Sequence, residues 1–211
     1  MLPSLRLSVE DLAVARGGRR IVERIGFNAG PGDYVEITGP NGAGKTSLLR
    51  VLAGFLRPLE GRVTMSSNFG PIDRDEQALC MHLVGHRDGL KGPLSVAEHM
   101  AFWAGLYEGG DEAGVLERVG LKPLAERPAR TLSAGQARRL ALSRLLLAQR
   151  PVWLLDEPAA TLDIAGRAWL LGLVSDHLAS GGIVVAAVHD PIGALPNHRV
   201  ALNPAMLAEA S

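Results

Sequence analysis

The chain has 211 residues, enough for one domain with a real core or for one core with a small satellite. Its 22 basic residues balance 22 acidic ones, which excludes broad electrostatic steering toward nucleic acid or anionic lipid. A single cysteine, Cys80, excludes an internal disulfide, and no apolar run nears the ~20 residues that span a bilayer.

Two strand-like runs, Leu5–Val9 and Arg20–Phe27, flank a turn at Gly17-Gly18. Asp33–Thr38 reads as a buried strand, and Lys45–Ala53 as a helix ended by Gly54. Gly61–Met65 is a short strand, and Leu79–Val84 a further one leading into Gly85-His86. From residue 93 to residue 130 the pattern turns helical. Ser95 caps one helix with Glu98 three positions on, and Asp111–Val119 is a second. Then come helix Ala137–Gln149, strand Val152–Leu155, helix Ile164–Ala179, strand Ile183–Val188 and a last strand near Arg199–Leu202. Strands alternating with helices predict a mostly parallel sheet flanked by helices, with a helical lobe at its side. The N-terminal residues Arg6, Glu10 and Asp11 do not suit a secretory signal. The expectation is one soluble cytoplasmic domain over 1–211, divided into a core (1–92 and 131–211) and a lobe (93–130). Little chain follows the last strand, so no C-terminal regulatory domain is expected.

Gly39-Pro40-Asn41-Gly42-Ala43-Gly44-Lys45-Thr46 matches the phosphate-binding pattern G-x-x-x-x-G-K-[ST], with Ser47 behind it. Its glycines let backbone N–H groups turn toward phosphate oxygens, and the helix that follows adds its dipole. Lys45 supplies a point charge, and the Thr46 hydroxyl is placed to ligate Mg²⁺. A chance glycine-rich turn is the alternative, and a full match between strand and helix makes it the weaker one. No Asn-Lys-x-Asp guanine reader is present, so ATP is favoured over GTP. Asp156 ends an apolar strand, where it can hold Mg²⁺ through water. Glu157, one residue on, can orient and deprotonate an attacking water. Alone, the two acids before Pro158 would read as a turn. With a complete phosphate loop upstream, the catalytic reading prevails. His189 closes the strand Ile183–Val188 at the end where parallel sheets bind ligands.

Between these motifs stands Leu132-Ser133-Ala134-Gly135-Gln136, at the head of a helix. The set resembles the ATP-binding cassette (ABC) ATPases over nearly the whole chain. Ala134 departs from that family's usual glycine by a methyl group. The resemblance implies an α/β P-loop NTPase fold of the ABC type. Its mostly parallel core would carry an N-terminal antiparallel β subdomain and a helical lobe. It also implies that Ser133, Gly135 and Gln136 touch ATP held by a second copy of the chain, in a head-to-tail dimer with two ATPs between the subunits. His189 takes the place of the family's switch histidine, and Ala160-Thr161-Leu162-Asp163 that of a loop that meets the partner.

Two positions depart from the family. Arg16 falls near its adenine-stacking aromatic, and a guanidinium plane can also stack on a base, although a solvated arginine is an equal alternative. His86 stands where a glutamine normally reaches toward Mg²⁺, and would act there through water. The stretch Gly85-His86-Arg87-Asp88-Gly89-Leu90-Lys91 is similar to the ATP-binding subunits of the cytochrome c maturation transporter. That likeness implies a peripheral subunit on the cytoplasmic face of a bacterial inner membrane, docked on an integral membrane permease of the CcmB type. Hydrolysis would drive either haem export or release of a haem-loaded periplasmic chaperone. No Cys-x-x-Cys-His is present, so the chain is not itself a cytochrome. His82, His86 and His99 suit ordinary surface or site roles better than haem ligation. The alternatives are the ATPase of another transporter, a soluble ABC clamp on DNA or ribosomes, and a module that binds ATP without hydrolysing it. The clamp usually carries a long coiled-coil insertion or two cassettes, and neither is present; no nucleic-acid partner is expected.

Overall fold

In the computed structural model, residues 2–203 are described, so residue 1 and residues 204–211 of the expected domain lie outside them. Two sheets form the frame. β1 (Leu5–Arg16), β2 (Arg19–Ala29), β4 (Glu60–Ser67) and β5 (Gly70–Ile72) make an antiparallel sheet in the order β2-β1-β4-β5. The second sheet is parallel, with β6 (Met81–Val84), β7 (Val152–Asp156), β8 (Ile183–Ala187), β3 (Tyr34–Thr38) and β9 (His198–Ala201) in the order β6-β7-β8-β3-β9. Each βα crossover leaves the C-terminal ends of β3, β7 and β8 side by side, which is where the polar motifs emerge.

Alternation along the parallel strands sorts their side chains into two layers. Val35, Ile37, Val152, Leu154, Val185 and Ala187 face the antiparallel sheet and helix α1 (Lys45–Leu52), which contributes Leu48, Leu49 and Leu52. Tyr34, Trp153, Leu155, Val184 and Ala186 face α5 (Ala134–Leu147) and α6 (Ile164–Ala179), which supply Leu142, Leu145, Leu170 and Val174. Both faces are covered, so β7 and β8 read as apolar runs, while β3 carries one buried acid, Glu36.

A third core lies in the segment 93–130. Here α3 (Val96–Tyr107) and α4 (Glu112–Arg118) pack Met100, Trp103, Val115 and Leu116 against Leu140 and Leu147 of α5. α3 starts in the expected capping box: Ser95 Oγ accepts from Glu98 N–H, and the Glu98 carboxylate accepts from Ser95 N–H.

The elements depart from the sequence reading at several points, and β5 has no counterpart in it. Leu79 ends a helix, α2 (Arg74–Leu79), and the strand begins only at Met81. The Asp73 carboxylate accepts from the amides of Asp75 and Glu76, and that cap starts the unforeseen helix. β1 and β2 run on into a hairpin whose irregular register absorbs the polar Glu10 and Asp11. α5 begins at Ala134 and stops at Leu147, because Ser133 caps it and draws Gly135 and Gln136 into its first turn. Among the described residues no helix is long and apolar enough to cross a membrane.

Two buried histidines sit where the layers meet. His82 donates from Nε2 to Ala148 O at 3.1 Å and sets its ring edge-on to Tyr107. His177 stacks on Trp153 at 3.7 Å and donates from Nε2 to Pro151 O at 3.2 Å. Burial pushes His82 down from 6.5 to about 3 and His177 to about 4, with the carbonyls opposing only in part. Both folded values lie below the unfolded one, so the stabilisation is full above pH 6.5 and declines as the unfolded chain takes up protons. Each histidine should cost about 2 kcal/mol of stability by pH 5. Urea midpoints at pH 7 and pH 5 measure this, and His82→Leu should narrow the gap. A midpoint that does not move between the two pH values refutes the assignment.

Candidate active site

β3 feeds directly into the glycine loop, and α1 starts behind it. Its N-cap, Gly44, lies in the left-handed region (φ 101°) and offers no side-chain cap. The first amides of α1 therefore have no protein oxygen to donate to, and face outward as anion donors. Gly39 has φ 146°, and a Cβ placed there would stand 2.6 Å from Leu202 O. Gly39→Ala should cost about 1–3 kcal/mol and displace the loop. A wild-type urea midpoint together with wild-type nucleotide affinity would refute this.

Around this loop opens a cleft of ≈ 370 Å³. It is lined by Arg16 and Ile21 on one side, by Pro40, Asn41, Gly42, Gly44, Lys45, Thr46 and Ser47 at the base, and by His86, Asp156 and Glu157 opposite. Lys45 is buried and donates to Gly39 O at 2.7 Å, which holds its ammonium over the loop. The same ammonium lies 3.5 Å from Glu157 Oε1. Thr46 Oγ1 donates to Asp156 Oδ2 at 2.8 Å, so hydroxyl and carboxylate converge from two elements. These two oxygens are a hard donor pair of the kind Mg²⁺ selects. Among the described residues no cluster of three His, Cys, Asp or Glu could hold a metal. That sparse set fits a cation completed by phosphate oxygens and water, where it would neutralise charge on the phosphates.

Glu157 is held from several sides. Its backbone is left-handed (φ 47°), unusual for a residue with a side chain. Its N–H donates to Ala187 O at 2.8 Å, and its Oε2 accepts from the His189 N–H at 2.9 Å. β8 thus steadies the carboxylate through main-chain contacts.

Several expected site residues lie elsewhere. Gly39 and Ala43 shape the loop from behind and do not line the cleft. His189 follows the end of β8 with its side chain exposed, and only its amide reaches Glu157. Ser133, Gly135 and Gln136 form the first turn of α5, away from this cleft. Ser133 Oγ accepts from Gln136 N–H, while Gln136 Oε1 accepts from Ser133 N–H. The glutamine side chain is thereby committed to the helix start, leaving the Ser133 hydroxyl proton available. His99 serves the loop before α3: Nδ1 donates to Ser95 O and Nε2 accepts from Lys91 N–H.

Two residues escaped the sequence reading. Ile21 lines the cleft beside Gly44 of the glycine loop. Arg138 sits buried beneath the carboxylates, and its place on α5 in register with Leu142 and Leu145 was the available signal.

A phosphate loop, an oxygen pair for Mg²⁺ and a carboxylate beyond it form a nucleotide-hydrolysing arrangement. The family model of the ABC transporter matches residues 22–160, which include the whole of this cleft except Arg16 and Ile21. The chain belongs to the ABC transporter family. Among curated proteins, this ABC ATPase is 47% identical over 192 residues to the cytochrome c biogenesis ATP-binding export protein CcmA of Rhodopseudomonas palustris strain HaA2. That alignment covers 90% of this chain and 94% of the relative. The protein of the same name from Nitrobacter winogradskyi is also 47% identical, over 90% and 94% of the two chains. Among solved structures, a putative ABC transporter ATP-binding protein of Pyrococcus furiosus superposes with a TM-score of 0.79 at 24% identity, covering 93% and 97% of the two chains. The ATP-binding cassette MJ0796, a dimer in a post-hydrolysis state bound to ADP and Pi, gives 0.75 at 21%, covering 94% of each chain. These two likenesses establish the ABC ATPase fold.

Proposed function

We propose that this chain is the ATP-hydrolysing subunit of an ABC exporter serving cytochrome c biogenesis. The near full-length identity to the CcmA proteins carries the reading, since it extends over 90% of this chain and 94% of the relative. The cleft supports the chemistry. Residues Gly39–Ser47 cradle the phosphates of ATP, Lys45 neutralises them, Thr46 and Asp156 hold Mg²⁺, and Glu157 takes the proton of the attacking water. Arg16 meets the base, while His86 acts on the ion through water. The His189 ring turns toward the γ-phosphate when the subunits close. Ser133, Gly135 and Gln136 belong to the second half of the site, which grips ATP held by another copy. The chain works as one domain, with 93–130 as its lobe.

Its membrane partner is a permease of the CcmB type, met on the cytoplasmic side of the inner membrane. Phe102 and Leu106, one turn apart on α3, are 62% and 60% exposed and give the lobe an apolar contact. Closure on ATP then drives haem export or release of a haem-loaded chaperone. Mild detergent extraction followed by mass spectrometry of co-purifying chains tests the assignment. Recovery of such a permease supports it, and recovery of another transporter's membrane subunit overturns it.

A further inference from the structure

Arg138 is 2% exposed, and a buried guanidinium is costly unless every donor is satisfied. Its partners are almost all main-chain oxygens. Nε donates to Pro158 O at 3.2 Å, and Nη2 to Asp156 O at 2.7 Å and Glu157 O at 3.0 Å. Nη1 donates to Gly85 O and to Asp88 Oδ1, both at 2.9 Å. One planar fork therefore gathers three consecutive carbonyls at the end of β7 and ties them to the 85–88 loop after β6. The middle carbonyl belongs to Glu157, whose left-handed backbone is the least favourable conformation at the site. Ala187 O fixes that residue's amide, and Arg138 fixes its carbonyl, so both peptide planes that aim the carboxylate are pinned.

We propose that Arg138 is a positioning residue for hydrolysis: it holds the Glu157 backbone in its strained conformation and links it to the loop carrying His86 and Asp88. Arg138 lies outside the nucleotide cleft, so it acts on turnover and not on binding. It also stands on the helix that opens with Ser133. A displacement of α5 along its axis, or of the 85–88 loop, is thus carried straight to the carboxylate. A lysine cannot replace it, because a single ammonium cannot span five acceptors spread in one plane.

The inference rests on the hydrolysis reading above, and the experiment separates the two. ATP turnover, affinity for a fluorescent ADP analogue and thermal midpoint are measured for the full chain, for Arg138→Lys and for Asp88→Asn. Arg138→Lys should lower kcat about 10- to 100-fold with nucleotide affinity within about threefold of wild type. Asp88→Asn keeps an acceptor and loses the charge. It should lower kcat about three- to tenfold with nucleotide affinity within about threefold of wild type, and lower the midpoint without preventing folding. Wild-type kcat in a folded Arg138→Lys overturns the proposal, as does a parallel loss of kcat and affinity. Should Arg138→Lys fail to fold, Asp88→Asn decides by the same split. If the wild-type chain itself binds nucleotide without turning it over, the hydrolysis reading fails instead.

Discussion

Glu157→Gln should lower ATP turnover by at least about a hundredfold while leaving ATP binding intact. General-base assistance supplies roughly 10²–10⁴-fold in rate, and an amide cannot accept the proton. The shape of the residue is unchanged, and the amide oxygen can still accept from the His189 N–H that now meets Oε2 at 2.9 Å. Loss of the charge 3.5 Å from Lys45 also frees that ammonium for phosphate. ATP should therefore persist in the site, and the chain should accumulate as a nucleotide-bound dimer. Phosphate release and size-exclusion chromatography with ATP read the two effects separately. Unchanged phosphate release would remove Glu157 from the chemistry.

Lys45→Ala should act one step earlier. Lys45 is buried and anchored to Gly39 O at 2.7 Å, which holds it over the glycine loop. A charge-assisted hydrogen bond contributes roughly 1.5–3 kcal/mol, so ATP affinity should fall about 10- to 150-fold. The change also strands Glu157 without its cationic neighbour, and turnover at saturating ATP should drop as well. Nucleotide titration and a thermal midpoint separate lost affinity from lost fold. Wild-type affinity in a folded variant would show that the main-chain amides alone hold the phosphates.

What was legible in the sequence was whatever local pattern controls. The β3–loop–α1 unit could be read because an apolar run, spaced glycines and a lysine follow each other within 20 residues. The α3 capping box was equally local. Asp73 was just as near, yet its cap was masked by the apolar Leu79–Val84 run, which resembles a strand throughout. The sequence places the start of α5 three residues late because Gly135 is a poor helix former, and the Ser133–Gln136 exchange of hydrogen bonds holds it in the first turn.

The site divides in the same way. Residues of the glycine loop and the acids after β7 lie in motifs. Ile21 has no motif, and reaches the cleft only because β2 folds back beside the loop. Arg138 touches residues 18 to 53 positions away in the chain, so its role depends on tertiary packing. The place of the His189 ring depends on how the chain leaves β8, which no spacing rule describes.

α5 turns Leu142 and Leu145 toward the sheet and Leu140 and Leu147 toward the lobe, and among the described residues the two cores share only Leu146 and Trp169 along the seam. The helix acts as a socket. A lobe of different sequence that offers the same apolar face to Leu140 and Leu147 leaves the catalytic layers packed as they are. With the membrane partner docked on the lobe, as proposed, partner choice and ATP chemistry become separable properties of one chain, free to change at different rates.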